Sequence, residues 1–287
     1  SSQGGAELMP PVLPMLISIP HGGIGIPDEA RERVALGITA LSYYSDPFSG
    51  RLFGFEEKVR AVMGASVSRV IVDLNRPPYH LPPRRRDGVV KFRTSLGDPV
   101  WKDGMQPDIQ VIHRLLMHHY FPYHAEIDML LESEKIAVAL DCHSMVPVGL
   151  PGQPDEGKDR PLICLSNNGD SVGNPRSGVL CTCPPRWISV LAEMFREHFP
   201  GERSVAINHP FSGGFISNAH YWHKGIPWVQ IEVNRSLYEE EGSSPAHGSL
   251  VDLKRLKSLS ESIWEVLERW YHEVVEGEPD PDLSSWG

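Results

Sequence analysis

The sequence predicts a three-layer α/β/α domain built on a mixed, mostly parallel central sheet. Three observations carry this reading. Short apolar runs rich in β-branched residues alternate along the chain with longer amphipathic runs. The apolar runs, such as MLISIP and KIAVAL, have the length of strands buried in a sheet. Glycine- and proline-rich pieces sit just after strand-like runs, where open α/β sheets place their binding loops.

Taken in chain order, PMLISIPHGG (14–23) reads as a strand that ends in a glycine turn. FSGRLFGFEEKVRAVMG (48–64) reads as an amphipathic helix stopped by a glycine, and ASVSRVIVDLNR (65–76) as a second strand. Residues 107–135 carry helical periodicity with a bend expected at Pro122. Strands IAVALDCHS (136–144) and RPLICLSN (160–167) follow, then a helix over 185–199 and a strand near 204–208. The strand PWVQIEVNR (227–235) and a long helix over 250–276 complete the pattern. No internal repeat or long linker divides the chain, so one domain over 1–287 is expected, with 1–12 a flexible N-terminal segment.

Composition narrows the function classes. A chain of 287 residues, 40% hydrophobic and 22% charged, is long enough for a substantial core and matches an ordinary soluble globular protein. No apolar run approaches the roughly 18–20 residues that span a bilayer, and the N-terminus lacks the basic start and apolar stretch of a signal peptide. A cytoplasmic location without a membrane partner is the expectation. The net charge of −10 argues against broad affinity for nucleic acid, which needs lysine and arginine to displace counterions. The one basic run, PPRRRDG (82–88), reads as a solvated loop. Cys142, Cys164, Cys181 and Cys183 form neither a CxxC pair nor a disulfide framework, and are expected as buried thiols. Oligomeric state is not legible.

Function in open sheets gathers where strands end. LISIPHGG delivers His21 beside two glycines, LDCHSM delivers His143, and VQIEVNR delivers Glu232 between isoleucine and valine. A lone carboxylate buried there would be costly without a partner. A single strand-end histidine is more often hydrogen-bonded structure than a ligand, and Glu232 alone could face solvent. Together, two imidazoles and a carboxylate suit a catalytic zinc site, though this set does not name a reaction. Cys142 is excluded as a nucleophile paired with His143, because adjacent strand residues point to opposite faces. Asp141 shares the face of His143 and is a candidate partner for its ring. No G-x-S-x-G elbow and no G-x-G-x-x-G or phosphate loop is present. In SRVIVDLNR, alternation puts Arg69, Ile71, Asp73 and Asn75 on one face. Arg69 and Arg76 suggest an anionic substrate or oxyanion, with a structural ion pair as the alternative for either.

The pieces SIPHGG, YYSDPFSGRLF, SRVIVDLNR, YFPYH, LDCHSM, NHPFSGGFI and VQIEVNRSLY occur in one order between about residues 16 and 238. In this the chain resembles the N-formylglutamate amidohydrolase family. The resemblance implies a zinc exopeptidase-like fold and hydrolysis of N-formyl-L-glutamate, a small anionic N-acyl amino acid, in histidine degradation. Through a more distant likeness to aspartoacylases, whose strand also ends in DLNR, it implies roles residue by residue. His21 and His143 would be ligands to Zn2+ or another divalent metal, and Glu232 the general acid/base. Arg69 would polarise the scissile carbonyl, while Asn75, Arg76 and Arg235 would hold substrate carboxylates. Those relatives take a second ligand from a glutamate three residues after the first histidine; here that position is Ile24. Asp46 in YSDPF is the replacement the family pattern offers, with Glu29, Glu56 and Asp73 as substitutes. The resemblance also covers His124 and the turn glycines Gly213 and Gly214 as substrate-binding positions, whereas His220 and His223 read as surface residues. Two rivals remain, namely the same chemistry on another N-acyl or peptide substrate, and a non-catalytic binding protein on this fold.

Overall fold

Six strands form one sheet in the order β2–β1–β3–β6–β4–β5. The structure is a computed structural model and describes residues 12–277. The expected flexible segment 1–12 therefore lies outside the described residues but for Val12. Strands β1 (Leu13–Ile19), β2 (Val59–Gly64), β3 (Val138–Met145) and β6 (Trp228–Asn234) run parallel. β4 (Ile163–Ser166) is antiparallel to β6, and β5 (Val205–Ile207) pairs parallel to β4. The sheet is thus mixed and mostly parallel.

Burial explains both the apolar runs and the layers. Every residue of β3 and β6 is buried, as expected for central strands covered on both faces. One face carries Ile17, Leu140, Cys142, Ile231 and Val233 into a core closed by α2 (Ser49–Leu52), α5 (Pro185–His198) and α7 (Leu253–Trp270). The other carries Leu16, Ala139 and Trp228 into a second core under α1 (Ile38–Tyr44), α3 (Ile109–Leu115), α4 (Phe121–Ser133) and α6 (Phe215–Lys224). Cys142 points into the first core, away from His143, and all four cysteines are buried and free. Among the described residues no helix is long and apolar enough to cross a membrane.

Three sequence expectations change. The stretch 48–64 is not one helix. α2 stops after one turn, and β2 forms from the rest of it and pairs with β1 from Leu13↔Val59 to Ile19↔Gly64. β2 is a half-exposed edge strand, so Val59, Val62 and Met63 fall at a spacing that mimics a helical stripe. The stretch 65–76 is not a strand. Val72 and Ile71 both donate to Ser68 O at 3.0 Å, and only Val67 makes a bridge, to Gly25. Its β-branched residues are buried in the second core without a sheet ladder, so the facial alternation read into it does not hold. The helical stretch 107–135 does break, but by a π turn at Leu116–Tyr120, with Pro122 inside the first turn of α4. α1 and α6 have no counterpart in the sequence reading.

Candidate metal and hydrolytic site

The order of strands reverses at β1, whose successor β2 lies on one side and β3 on the other. That crevice, at the carboxyl ends of the parallel strands, is where open α/β sheets bind ligands. His21 lies two residues beyond the end of β1, and His143 sits near the end of β3. Glu232 is the register partner of His143 across the β3–β6 ladder. Asp46 lies just past α1, and its backbone N–H donates to His21 O at 2.8 Å.

Three donor atoms converge. His143 Nδ1 is 3.1 Å from His21 Nδ1 and 3.1 Å from Asp46 Oδ2, and His21 Nδ1 is 3.7 Å from Asp46 Oδ2. A tetrahedral ion bound at about 2.0–2.1 Å needs donors roughly 3.3 Å apart, so the spacing fits one. The far side of each ring fixes which nitrogen faces this point. His21 Nε2 is 2.7 Å from Asp73 Oδ1, and His143 Nε2 is 3.0 Å from Asp141 Oδ2. Each Nε2–H is thereby committed to a carboxylate, which turns Nδ1 inward, the usual support of a metal-bound imidazole. The three residues are all buried and form a group able to hold a metal ion.

The electrostatics agree. Burial, and then the charge of Arg69, lowers the pKa of His21 to about 4, so its ring is neutral. Burial also works against ionised Asp46, yet the hydrogen bond to His143, with His21 and the Arg69 guanidinium beside it, holds it well below the usual carboxylate range. For His143 burial is overcome by Asp141 and Glu232, which hold the ring well above an ordinary histidine. Glu232 is 7% exposed, and burial raises it to about 7 against the opposing charge of His143. Gln230 donates to Glu232 Oε1 at 3.0 Å. Such a carboxyl can both accept and release a proton near neutral pH.

The remaining candidates separate into two groups. Arg69 reaches Asp46 Oδ1 at 3.5 Å and Asp73 Oδ2 at 3.4 Å, contacts long enough to leave it available beside the metal group. Arg76 is held by Asp87 Oδ2 at 2.6 Å and by Asn75 O at 3.0 Å, with its side chain 28% exposed. Asn75 and Arg235 instead face inward. Asn75 Nδ2 lies 3.0 Å from Asp141 Oδ2 and 3.1 Å from His143 Nε2, while its Oδ1 accepts from Ile216 N at 2.8 Å. Arg235 donates to Tyr43 O, Ser45 O and Ser144 Oγ and lies 3.5 Å from Asp46 Oδ1. Its donors brace the segment that carries Asp46.

Gly214 is pressed against Asn75, where an added Cβ would stand 2.3 Å from Nδ2, and Gly213 adopts φ +131°, open to glycine alone. His124 packs away from the metal group, 2.9 Å from Leu74 O and 2.9 Å from His220 Nε2. His220 is buried against Asp128 rather than on the surface, while His223 is exposed as expected. Of the substitute ligands, Glu29 pairs with His118 and His119, Glu56 is exposed, and Asp73 supports His21 from behind. Sequence reasoning missed Lys91, buried behind the exposed arginines of the basic run, whose ammonium lies 2.6 Å from Asp73 Oδ2. A lone lysine in a loop carries no periodic signal.

The chain is similar to known proteins of one family. The sequence profile of the N-formylglutamate amidohydrolase family matches residues 13–239. The chain is 31% identical over 241 residues to an N-formylglutamate deformylase of Pseudomonas putida, covering 80% of this chain and 83% of that protein. A Pseudomonas aeruginosa N-formylglutamate deformylase is 31% identical over 267 residues, covering 88% and 92%. The crystal structure of N-formylglutamate amidohydrolase from Ralstonia eutropha JMP134 superposes with a TM-score of 0.72 at 19% identity, covering 93% of this chain and 96% of that one.

Proposed function

The chain belongs to the N-formylglutamate amidohydrolase family, and we propose that it is a metal-dependent amidohydrolase converting N-formyl-L-glutamate to formate and L-glutamate. The observation that carries this reading is the pair of inward-turned imidazoles with Asp46, facing a buried carboxyl whose pKa is lifted to about 7. His21 Nδ1, Asp46 Oδ2 and His143 Nδ1 would hold Zn2+ or another divalent ion, which when bound supplies Lewis acidity toward the amide carbonyl and acidifies a water.

The chain's own groups perform the rest. Glu232 takes a proton from the attacking water and returns it to the departing amine, so its cycle begins and ends ionised. Arg69 stabilises the negative charge that develops on the carbonyl oxygen. Arg76 binds a substrate carboxylate with the N–H groups that Asp87 and Asn75 O leave free. Asn75 and Arg235 act as positioning groups, the first behind His143 and the second behind Asp46. Gly213 and Gly214 shape the turn that packs on Asn75, and His124 supports the same segment through Leu74 O.

A hydrolysis screen of N-formyl, N-acetyl and succinyl amino acids with added zinc, manganese or cobalt tests the reading. N-formyl-L-glutamate is expected to be the preferred substrate. Glu232→Gln is expected to keep fold and metal while kcat drops at least about 100-fold, the scale of general acid–base catalysis. Wild-type-like turnover by that variant would refute the role of Glu232.

A further inference from the structure

Lys91 occupies the interior beside the site, its side chain only 8% exposed, yet nothing in the chemistry above uses it. Its ammonium has three protons and three acceptors within reach: Asp73 Oδ2 at 2.6 Å, Gly88 O at 3.0 Å and Asp87 Oδ1 at 3.3 Å. Each of those two carboxylates spends its other oxygen elsewhere. Asp73 Oδ1 accepts from His21 Nε2 at 2.7 Å and Asn75 N at 3.0 Å. Asp87 Oδ2 accepts from Arg76 Nη2 at 2.6 Å and Nε at 3.2 Å. The result is one continuous ionic chain from a metal ligand to the surface: His21, Asp73, Lys91, Asp87, Arg76.

Two features argue that this chain does more than fill space. Burying a lysine against carboxylates is a poor way to gain stability, since apolar side chains of similar volume often serve as well or better. The carboxylates of the chain are also shared. Arg69, Arg76 and Lys91 share Asp46, Asp73 and Asp87, so no carboxylate there belongs to Arg76 alone and an arriving carboxylate meets a cation whose partner is divided with Lys91. Asp87 takes Nε and one N–H of Nη2, and Asn75 O takes one N–H of Nη1, so of the five N–H groups of Arg76 one on each terminal nitrogen has no acceptor among the described residues. Those two N–H groups are the donors left for a carboxylate.

We propose that Lys91 and Asp87 are positioning residues that join carboxylate recognition at Arg76 to the orientation of the metal ligand His21. The inference rests on the amidohydrolase reading for its substrate, and on geometry alone for its metal half. The relay divides at Lys91. Outward it sets the aim of Arg76, and so KM; inward it holds Asp73 against His21, and so metal affinity.

The experiment compares the metal-loaded wild-type enzyme with Asp87→Asn, Lys91→Gln and Lys91→Arg. It measures kcat and KM for N-formyl-L-glutamate, and zinc affinity by competition with a chromogenic chelator. Asp87→Asn, at the exposed end, is expected to raise KM roughly tenfold or more, with kcat falling less than twofold and zinc affinity held. Lys91→Gln is expected to raise KM similarly and to weaken zinc binding about 10- to 100-fold. Lys91→Arg should recover part of both. A wild-type KM for Asp87→Asn overturns the proposal, and so does undiminished zinc affinity for a folded Lys91→Gln. If Lys91→Gln does not fold, Asp87→Asn decides alone. If the wild-type enzyme fails to hydrolyse N-formyl-L-glutamate, the functional reading fails, while zinc binding by the Lys91 variants still tests the relay.

Discussion

Asp141→Asn tests the arrangement that turns His143 toward the metal group. Asp141 is fully buried, and its Oδ2 receives His143 Nε2 at 3.0 Å and Asn75 Nδ2 at 3.0 Å, while its Oδ1 lies 3.4 Å from Ser18 Oγ. An asparagine keeps its oxygen toward His143 only if its amide nitrogen faces Ser18, whose hydroxyl can rotate to accept. The fold is therefore expected to survive. What is lost is the negative charge behind the imidazole. A hydrogen bond to an ionised acceptor is worth about 1.5–3 kcal/mol, against about 0.5–1.5 for a neutral one. The difference of about 1–2 kcal/mol predicts zinc binding weaker by roughly 5- to 30-fold, within the range seen for such supporting groups. Competition against a chromogenic chelator at pH 8 measures it, with circular dichroism of the metal-free protein as the check on folding. Zinc affinity within twofold of wild type would refute the tautomer argument, because the carboxylate would then not be directing His143.

Three further outcomes follow from the same geometry. Since Asp141 and Glu232 outweigh burial and raise the proton affinity of His143, an incoming metal must displace a proton at neutral pH. Zinc affinity should then climb toward tenfold per pH unit between pH 6 and 8, flattening once pH exceeds the raised value; calorimetry in buffers of different ionisation enthalpy counts the proton, and a flat profile contradicts the assignment. Gly214→Ala puts a Cβ 2.3 Å from Asn75 Nδ2 and 2.4 Å from its Oδ1, so Asn75 must leave hydrogen bonds to Asp141 and Ile216. At about 1 kcal/mol per bond, urea unfolding should show a loss of about 2 kcal/mol, whereas Gly50→Ala, whose Cβ meets nothing within 4 Å, should stay near wild type. Arg235→Lys cannot span Tyr43 O, Ser45 O and Ser144 Oγ together, so metal affinity is expected to fall while KM, at saturating metal, changes little. A KM effect alone would return Arg235 to the role of substrate ligand.

The legible parts of this molecule are those that strands impose. β1, β3, β4 and β6 read directly because central strands must be apolar throughout, and the polar residues that interrupt them, His143 and Glu232, stand out for that reason. Opposite facing of Cys142 and His143 follows from the same two-residue period. The edge strand β2 was not legible, since partial exposure blurs that period into a helical one. The segment 65–76 misled in the opposite direction, its β-branched residues being buried by packing without a ladder. α6 begins at Phe215 without a side-chain cap, behind a glycine turn whose conformation depends on Asn75, a residue far away in sequence. For Arg235 and Asn75 the sequence shows a side chain's chemistry but not how many of its donors the fold engages. Lys91 and Asp87 gave no signal because their meaning lies in each other's positions.

The register pairing of His143 with Glu232 has a consequence for how such a site can diverge. Their spacing is the width of one strand pair, about 4.8 Å, fixed by backbone hydrogen bonds in the middle of the sheet. No loop motion or side-chain exchange alters it. Arg69, Arg76 and Asp87, by contrast, stand on irregular chain between β2 and α3. On the proposed function, the bond-breaking half is thus framework and the recognition half is attachment. Exchanging the segment between residues 77 and 90 is expected to retune which acyl amino acid is accepted while leaving the hydrolytic chemistry in place.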